Sequence, residues 1–295
     1  LWFGVLFGLG FLNKYNVVFL LLALAMVLLI SPLRRLLWSA AAGKAALVAA
    51  VIILPNFIWQ HLHHFPVVTH LSELARHQLG NVTPFNFLAE QLLFTLPVAV
   101  LWLPGLGWLL FSGRAASFRP VGWLYLAVLG IFLLFSGKSY YTMGIYPVLL
   151  AAGAVGWERW TTSPVGRSAV PLLMAALLLP FLPLGVPVLK TDKMLAYCRW
   201  LAEDVGLEAP LRWEDGQVYA LPQDYADMFG WRELAEKASR AVRLLRPGEH
   251  PLLYAENYGQ AGALNYYGSE MGLPVAVSFA DSYRLWAPLH TPATV

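Results

Sequence analysis

The sequence predicts a polytopic α-helical membrane domain of about seven spans over residues 1–190, followed by a soluble α/β domain over residues 191–295. Three observations carry this expectation. Of 295 residues, 58% are hydrophobic and only 13% charged, about half the charged share of an ordinary soluble domain. Residues 45–72 and 120–137 contain no Lys, Arg, Asp or Glu, whereas acids and bases are frequent from Asp192 onward. Basic loops also alternate along the chain with loops of another composition. The net charge of +3 is spread over short loops, which leaves no nucleic-acid footprint. One cysteine, Cys198, excludes an intrachain disulfide framework and a cysteine-based zinc site.

A helix needs about 20 mostly apolar residues to cross the hydrocarbon. The first run, Leu1–Leu12, is short and ends at the polar break Asn13-Lys14-Tyr15-Asn16. Further runs follow at Val17–Ile30, Ala45–Trp59, Phe87–Phe111, Val121–Phe135, Tyr141–Trp157 and Ala169–Leu189. Three connecting loops carry Arg34, Arg35 and Lys44, then Arg114 and Arg119, then Arg159 and Arg167. They alternate with the Asn13 break, the long segment Pro55–Phe87 and Ser136–Tyr140. Placing the basic set inside predicts a multi-pass protein of the plasma (inner) membrane with its C-terminal domain extracytoplasmic. The start at Leu1 shows neither a Met nor the basic region of a signal peptide. It predicts an internal piece of a longer protein, truncated at both ends.

In the C-terminal domain, helices are expected over Lys193–Val205, Asp224–Leu245 and Tyr258–Met271. Strands are expected at Gln217–Leu221, Pro251–Ala255 and Val275–Ser278. Their alternation with helices favours a small parallel sheet.

The loop Pro55–Phe87 carries His61, His63, His64, His70 and His77, with Glu73 among them. Imidazoles and a carboxylate can bind a transition metal, but the spacing matches no common zinc motif. The plainer reading is an interfacial loop anchored by Phe57, Trp59 and Phe65. Gly137-Lys138-Ser139-Tyr140-Tyr141 places a lysine between two long apolar runs. Such a lysine either snorkels or pairs with an anion, and Lys14 stands in the same situation on the same predicted side. Together they suggest a site for a phosphate-bearing lipid. Glu256–Gly262 links a predicted strand to a helix but is neither a dinucleotide fingerprint nor a phosphate loop. Asn81-Val82-Thr83 is a glycosylation sequon.

These motifs, in order, resemble those of bacterial protein O-mannosyltransferase-like glycosyltransferases, relatives of the aminoarabinose transferases, in the glycosyltransferase C superfamily. Gly8-Leu9-Gly10-Phe11-Leu12-Asn13-Lys14-Tyr15 is similar to that family's first break. Pro55-Asn56-Phe57-Ile58-Trp59-Gln60 with His63-His64-Phe65-Pro66 is similar to its outward loop, and Lys138-Ser139-Tyr140-Tyr141 with Tyr146-Pro147 to its lysine–tyrosine segment. Tyr258–Gly268 resembles a recurring segment of its C-terminal domain.

The resemblance implies an inverting transferase that moves a sugar from a polyprenyl-phosphate donor to a lipid, protein or glycan acceptor at the outer membrane face. It implies donor-phosphate binding by Lys14, Lys138, Tyr140 and Tyr141, with His63 and His64 lining the cavity. It also implies a divalent metal ion near the donor phosphate, although the residues themselves show no metal motif. The family's catalytic carboxylate lies in an acidic pair near the N-terminus. No acid precedes Glu73 here, so the catalytic residue is unassigned and the piece alone is expected to be inactive. A transporter or flippase would show midspan charges or repeated broken helices. A non-catalytic scaffold would need no convergence of Lys14 and Lys138.

Overall fold

The computed structural model of the chain describes residues 1–77 and 83–287, with the backbone alone over 73–77. Two compact units form: Leu1–His63 with Leu74–Leu189, and His64–Glu73 with Lys190–Val295.

The first unit is entirely helical among the described residues. It contains α1 (Trp2–Asn13), α2 (Val17–Ile30), α3 (Ala40–Leu62) and, shared with the second unit, α4 (Pro66–His77). It continues with α5 (Pro84–Thr95), α6 (Ala99–Phe111), α7 (Arg119–Leu134), α8 (Tyr146–Trp160) and α9 (Pro164–Gly185). Among the described residues four helical stretches have the length and apolarity to cross a membrane: Ala40–Leu62, Pro84–Phe111, Gly113–Leu134 and Pro164–Gly185. The other expected spans fall on shorter helices, α1, α2 and α8, so the count of about seven is not shown. Helices α1 and α2 have 12 and 14 residues, below the roughly 17 that a span requires. The last third of α8 carries Glu158 and Arg159. Large apolar side chains such as Leu47, Leu54, Leu172 and Leu179 are exposed on α3 and α9, as a lipid solvent allows.

Helices approach closely where side chains are absent. A Cβ on Gly4 would lie 2.1 Å from the Ala45 carbonyl oxygen, so α1 rests directly on the α3 backbone. The α6–α8 crossing is tighter and reciprocal. A Cβ on Gly105 would meet the Leu149 oxygen at 2.3 Å, and one on Gly153 the Leu101 oxygen at 2.0 Å. Small residues are the general means of close helix approach in membranes. Beside this crossing a core of Trp102, Tyr125, Phe132, Tyr146 and Leu149 fills the unit.

Helices α2 and α7 run antiparallel. Phe19, early in α2, packs 5.2 Å from Phe132, late in α7, while Ile30 and Trp123 line one cavity at the opposite end. The Asn13 break and the Ser136–Lys138 turn therefore share one end of the unit. The 3₁₀ helices Pro32–Trp38 and Gly113–Phe118, with their arginines, share the other.

The second unit contains α10 (Thr191–Glu203), α11 (Gln223–Ala226), α12 (Trp231–Val242) and α13 (Tyr258–Ser269). No extended strand forms among its described residues, which corrects the expected α/β sheet. Two isolated bridges stand in its place, Arg212 with Val218 antiparallel and Tyr254 with Val277 parallel. The reason is local pairing. Residues around Val218 fold back on Leu211–Trp213 through a turn at Gly216, whose φ is +84°, and so never join the other two segments. On the free side of Ala276, the Asn265 amide accepts from its N–H at 2.7 Å and donates to its carbonyl at 3.0 Å. A side chain thus occupies the place of a third strand. The expected single helix Asp224–Leu245 is divided into α11 and α12 by Gly230, at φ +84°.

Cys198 is fully buried in α10, and burial pushes its thiol up from the usual range. Alkylation by iodoacetamide at pH 8 is therefore expected to run at least about tenfold slower in the native protein than after unfolding. Equal labelling rates would show that α10 opens freely.

Candidate functional site

The structure brings Lys14, Lys138, Tyr140 and Tyr141 together, although 124 positions separate the two lysines. Lys14 Nζ lies over two rings, 4.9 Å from the centre of Tyr140 and 5.0 Å from that of Tyr141. Lys138 Nζ lies 6.0 Å from the Tyr140 ring. The two rings pack edge-on at 4.7 Å. Two ammonium groups thus flank one aromatic pair. An aromatic face attracts a cation without cancelling its charge, so the positive potential of Lys14 remains available to an anion.

Each half of this cluster is fixed from below. The Asn13–Asn16 break is held to α3 by Tyr15, whose hydroxyl donates to Asn56 Oδ1 at 3.1 Å and accepts from Gln60 Nε2 at 3.0 Å. The lysine–tyrosine segment is held by Gln91 on α5, which is buried. Gln91 Nε2 donates to the Ser139 carbonyl at 2.7 Å. Its Oε1 accepts from Thr142 at 2.5 Å and from Tyr146 at 2.8 Å. Replacing Gln91 with leucine removes three buried hydrogen bonds and leaves the Ser139 carbonyl only its bond from Thr142, at 2.9 Å, and Tyr146 only its contact with Tyr125, at 3.3 Å; losing a buried hydrogen bond costs about 1–3 kcal/mol. Allowing for relaxation, Gln91→Leu is expected to destabilise the unit by about 2–3 kcal/mol, measured by thermal unfolding in detergent. An unchanged midpoint would remove Gln91 as the anchor.

Glu90 was passed over in the sequence reading. Residues 1–189 contain three acids, Glu73, Glu90 and Glu158. Ser139 Oγ donates to Glu90 Oε2 at 2.5 Å, which puts a carboxylate against the lysine–tyrosine segment. Its signal was legible as a lone acid in an apolar span.

The described histidines of the Pro55–Phe87 segment are divided between the two units, His61 and His63 in the first and His64 and His70 in the second. His63 caps α3, its Nδ1 is 2.8 Å from the Trp59 carbonyl, and its ring stacks on Trp59 at 4.4 Å. Both described contacts are with its own helix. His64 belongs to the second unit and holds a left-handed φ of +59°. His70 Nδ1 engages the Asp281 carboxylate within the second unit. The side chains of Glu73 and His77, and Asn81 and Val82 of the sequon, lie outside the described residues. No group of three or more His, Cys, Asp or Glu is placed to hold a metal ion among the described residues. The donor set there does not fit a resident metal centre. In the second unit, Asn257 Oδ1 accepts from the Gln260 N–H at 2.9 Å and Gln260 Oε1 from the Glu256 N–H at 3.2 Å. The Glu256–Gly262 turn is an ordinary helix cap.

Residues 1–59 match the family model described as dolichyl-phosphate-mannose-protein mannosyltransferase. The matched stretch contains α1, α2, Lys14, Tyr15 and Asn56. It supports the glycosyltransferase C-type superfamily and points to a membrane glycosyltransferase using a lipid-linked sugar donor. Comparison with curated proteins and with solved structures returned no match.

Proposed function

We propose that the chain forms the donor-phosphate side of an inverting glycosyltransferase that moves a sugar from a polyprenyl-phosphate donor to an acceptor at the outer face of the plasma membrane. The observation that carries this reading is the meeting of Lys14, from the family-matched stretch, with Lys138, Tyr140 and Tyr141 from outside it. As the glycosidic bond breaks, charge accumulates on the departing phosphate. Two fixed ammonium groups at a membrane boundary offset that charge with little reorganisation. The tyrosine rings hold Lys14 in place, and the Tyr15–Asn56–Gln60 clasp fixes the break that presents it.

The proposed sidedness rests on the positive-inside bias. The lysine–tyrosine end of the first unit is opposite the arginine-bearing 3₁₀ helices. With the arginine end cytoplasmic, the donor site faces outward and residues 191–295 are extracytoplasmic.

The test is to purify the protein in detergent and measure binding of a panel of polyprenyl-phosphate sugars, with Lys138→Ala beside it, and to follow sugar transfer only in a preparation that supplies the catalytic carboxylate. Donor binding that drops sharply in Lys138→Ala supports the site. Full binding by the variant removes Lys138 but leaves the donor class standing. No binding or turnover with any lipid-linked donor turns the reading to a transporter or a scaffold.

A further inference from the structure

Glu90 and Gln91 are neighbours on α5, and both grip Ser139. Gln91 Nε2 donates to the Ser139 carbonyl at 2.7 Å, while Ser139 Oγ donates to Glu90 Oε2 at 2.5 Å. Ser139 is buried and Glu90 half-buried. The carboxylate is thereby held against the residue that stands between Lys138 and Tyr140. Among the described residues the Ser139 hydroxyl is the one side-chain hydrogen-bond partner of Glu90. An ionised carboxylate offers about four lone-pair sites on two oxygens, so most of its accepting capacity is uncommitted. Glu158, the other acid whose side chain is described in the first unit, stands at the far end of α8, beside Arg159.

Positioning alone does not call for a charge here. Gln91 already anchors the segment, and a neutral amide in place of Glu90 would accept from Ser139 Oγ as well. The negative charge instead carries two penalties. An ionised side chain is costly in an apolar span, and Glu90 lies within the span-length stretch Pro84–Phe111. A carboxylate also repels a phosphate drawn to Lys14 and Lys138. Both penalties are offset by a ligand that brings hydroxyl donors beside its phosphate. An O–H bonded to a carboxylate is held about twice as strongly as one bonded to a neutral acceptor. A site built around such an acceptor also discriminates against ligands that lack the hydroxyl.

We infer that Glu90 is a specificity-determining residue of the donor site, where Oε1 accepts from a hydroxyl of the sugar carried on the lipid phosphate. The inference rests on the donor reading proposed above and adds the sugar half of the ligand to the phosphate half. Ser139 holds one carboxylate oxygen, and the sugar takes the other.

The chain is purified in detergent, and binding is measured for decaprenyl phosphate and for its mannosyl, glucosyl and galactosyl phosphodiesters. Glu90→Gln is expected to bind at least one of the three sugar-bearing lipids about tenfold more weakly than the wild type, the loss of one charge-assisted hydrogen bond. The same variant is expected to bind bare decaprenyl phosphate as tightly or more tightly, because a negative charge has left the site. Glu90→Asp, which draws the charge back by one methylene, is expected to lose sugar affinity too, and it decides should Glu90→Gln not elute as a folded species. Weakening of all four lipids by the same factor overturns the inference and makes Glu90 a support for Lys138. Unchanged affinity for every sugar-bearing lipid overturns it as well, and a base acting only on the acceptor would give that result; the donor-phosphate site then still stands. Binding of none of the four lipids by the wild type overturns the donor reading and this inference with it.

Discussion

In a transfer-competent preparation that supplies the catalytic carboxylate, Lys14→Ala is expected to lower sugar transfer from a polyprenyl-phosphate donor by about 10²–10³-fold, the usual cost of removing one preorganised charge-stabilising donor. The expectation rests on how the ammonium is held. Among the described residues no carboxylate pairs with Lys14, and its Nζ sits over the Tyr140 and Tyr141 rings at 4.9 and 5.0 Å. A carboxylate partner would neutralise the charge and weaken its pull on phosphate, whereas two aromatic faces keep it available. Lys14→Arg retains the charge and should recover part of the rate, though its planar fork does not reproduce a point charge. Lys14→Gln should not. The defect should fall mostly on turnover if the charge acts on the departing phosphate, and equally on KM if it acts in the bound donor. Wild-type transfer by Lys14→Ala would take the lysine out of the site.

The largest expected loss of stability belongs to Gly153. A Cβ there would stand 2.0 Å from the Leu101 carbonyl oxygen, a backbone atom that cannot swing aside as a flexible side chain could. Even Gly153→Ala must therefore move α6 and α8 apart. Gly105 faces the same crossing from the other helix, 2.3 Å from the Leu149 oxygen, so neither helix can yield towards the other. Separation strips contacts from Trp102, Tyr125 and Leu149 in the core. We expect Gly153→Val to cost at least about 4 kcal/mol, in the range reached only by severe core disruption, read as a large fall in unfolding temperature or as loss of monodisperse protein. The neighbouring Gly107 has nothing near its missing Cβ. Gly107→Ala should fold normally, which makes it the control. Equal behaviour of the two variants would show that the crossing is not tight.

Much of the first unit was legible in the sequence because lipid imposes a strong composition rule. The third, fourth, fifth and seventh apolar runs correspond to Ala40–Leu62, Pro84–Phe111, Gly113–Leu134 and Pro164–Gly185. Their ends moved because helices continue through polar residues. Ser39, Thr83 and Ser163 each cap a helix that starts before its apolar run. Lys14 and Lys138 were legible as isolated charges beside apolar runs, and their meeting was expected from the resemblance. Gln91 was not legible, because a polar residue whose partners lie 48 to 55 positions away leaves no periodic trace, whereas Glu90 stands out as a lone acid in an apolar span. The second unit was read less well. Its strand-like segments were visible in composition, but pairing depends on which neighbour arrives. Val218 found Arg212, and Ala276 found an asparagine side chain.

That asparagine has a consequence for solubility. A lone extended segment flanked on one side only presents open N–H and C=O groups to any other chain, the usual starting point for edge-to-edge association. Asn265 closes both groups of Ala276 and is itself tied down by donating to the Tyr283 hydroxyl at 2.6 Å. A helix thus guards the rim that another strand could otherwise cover. The rim at Ala276 stays closed to other chains.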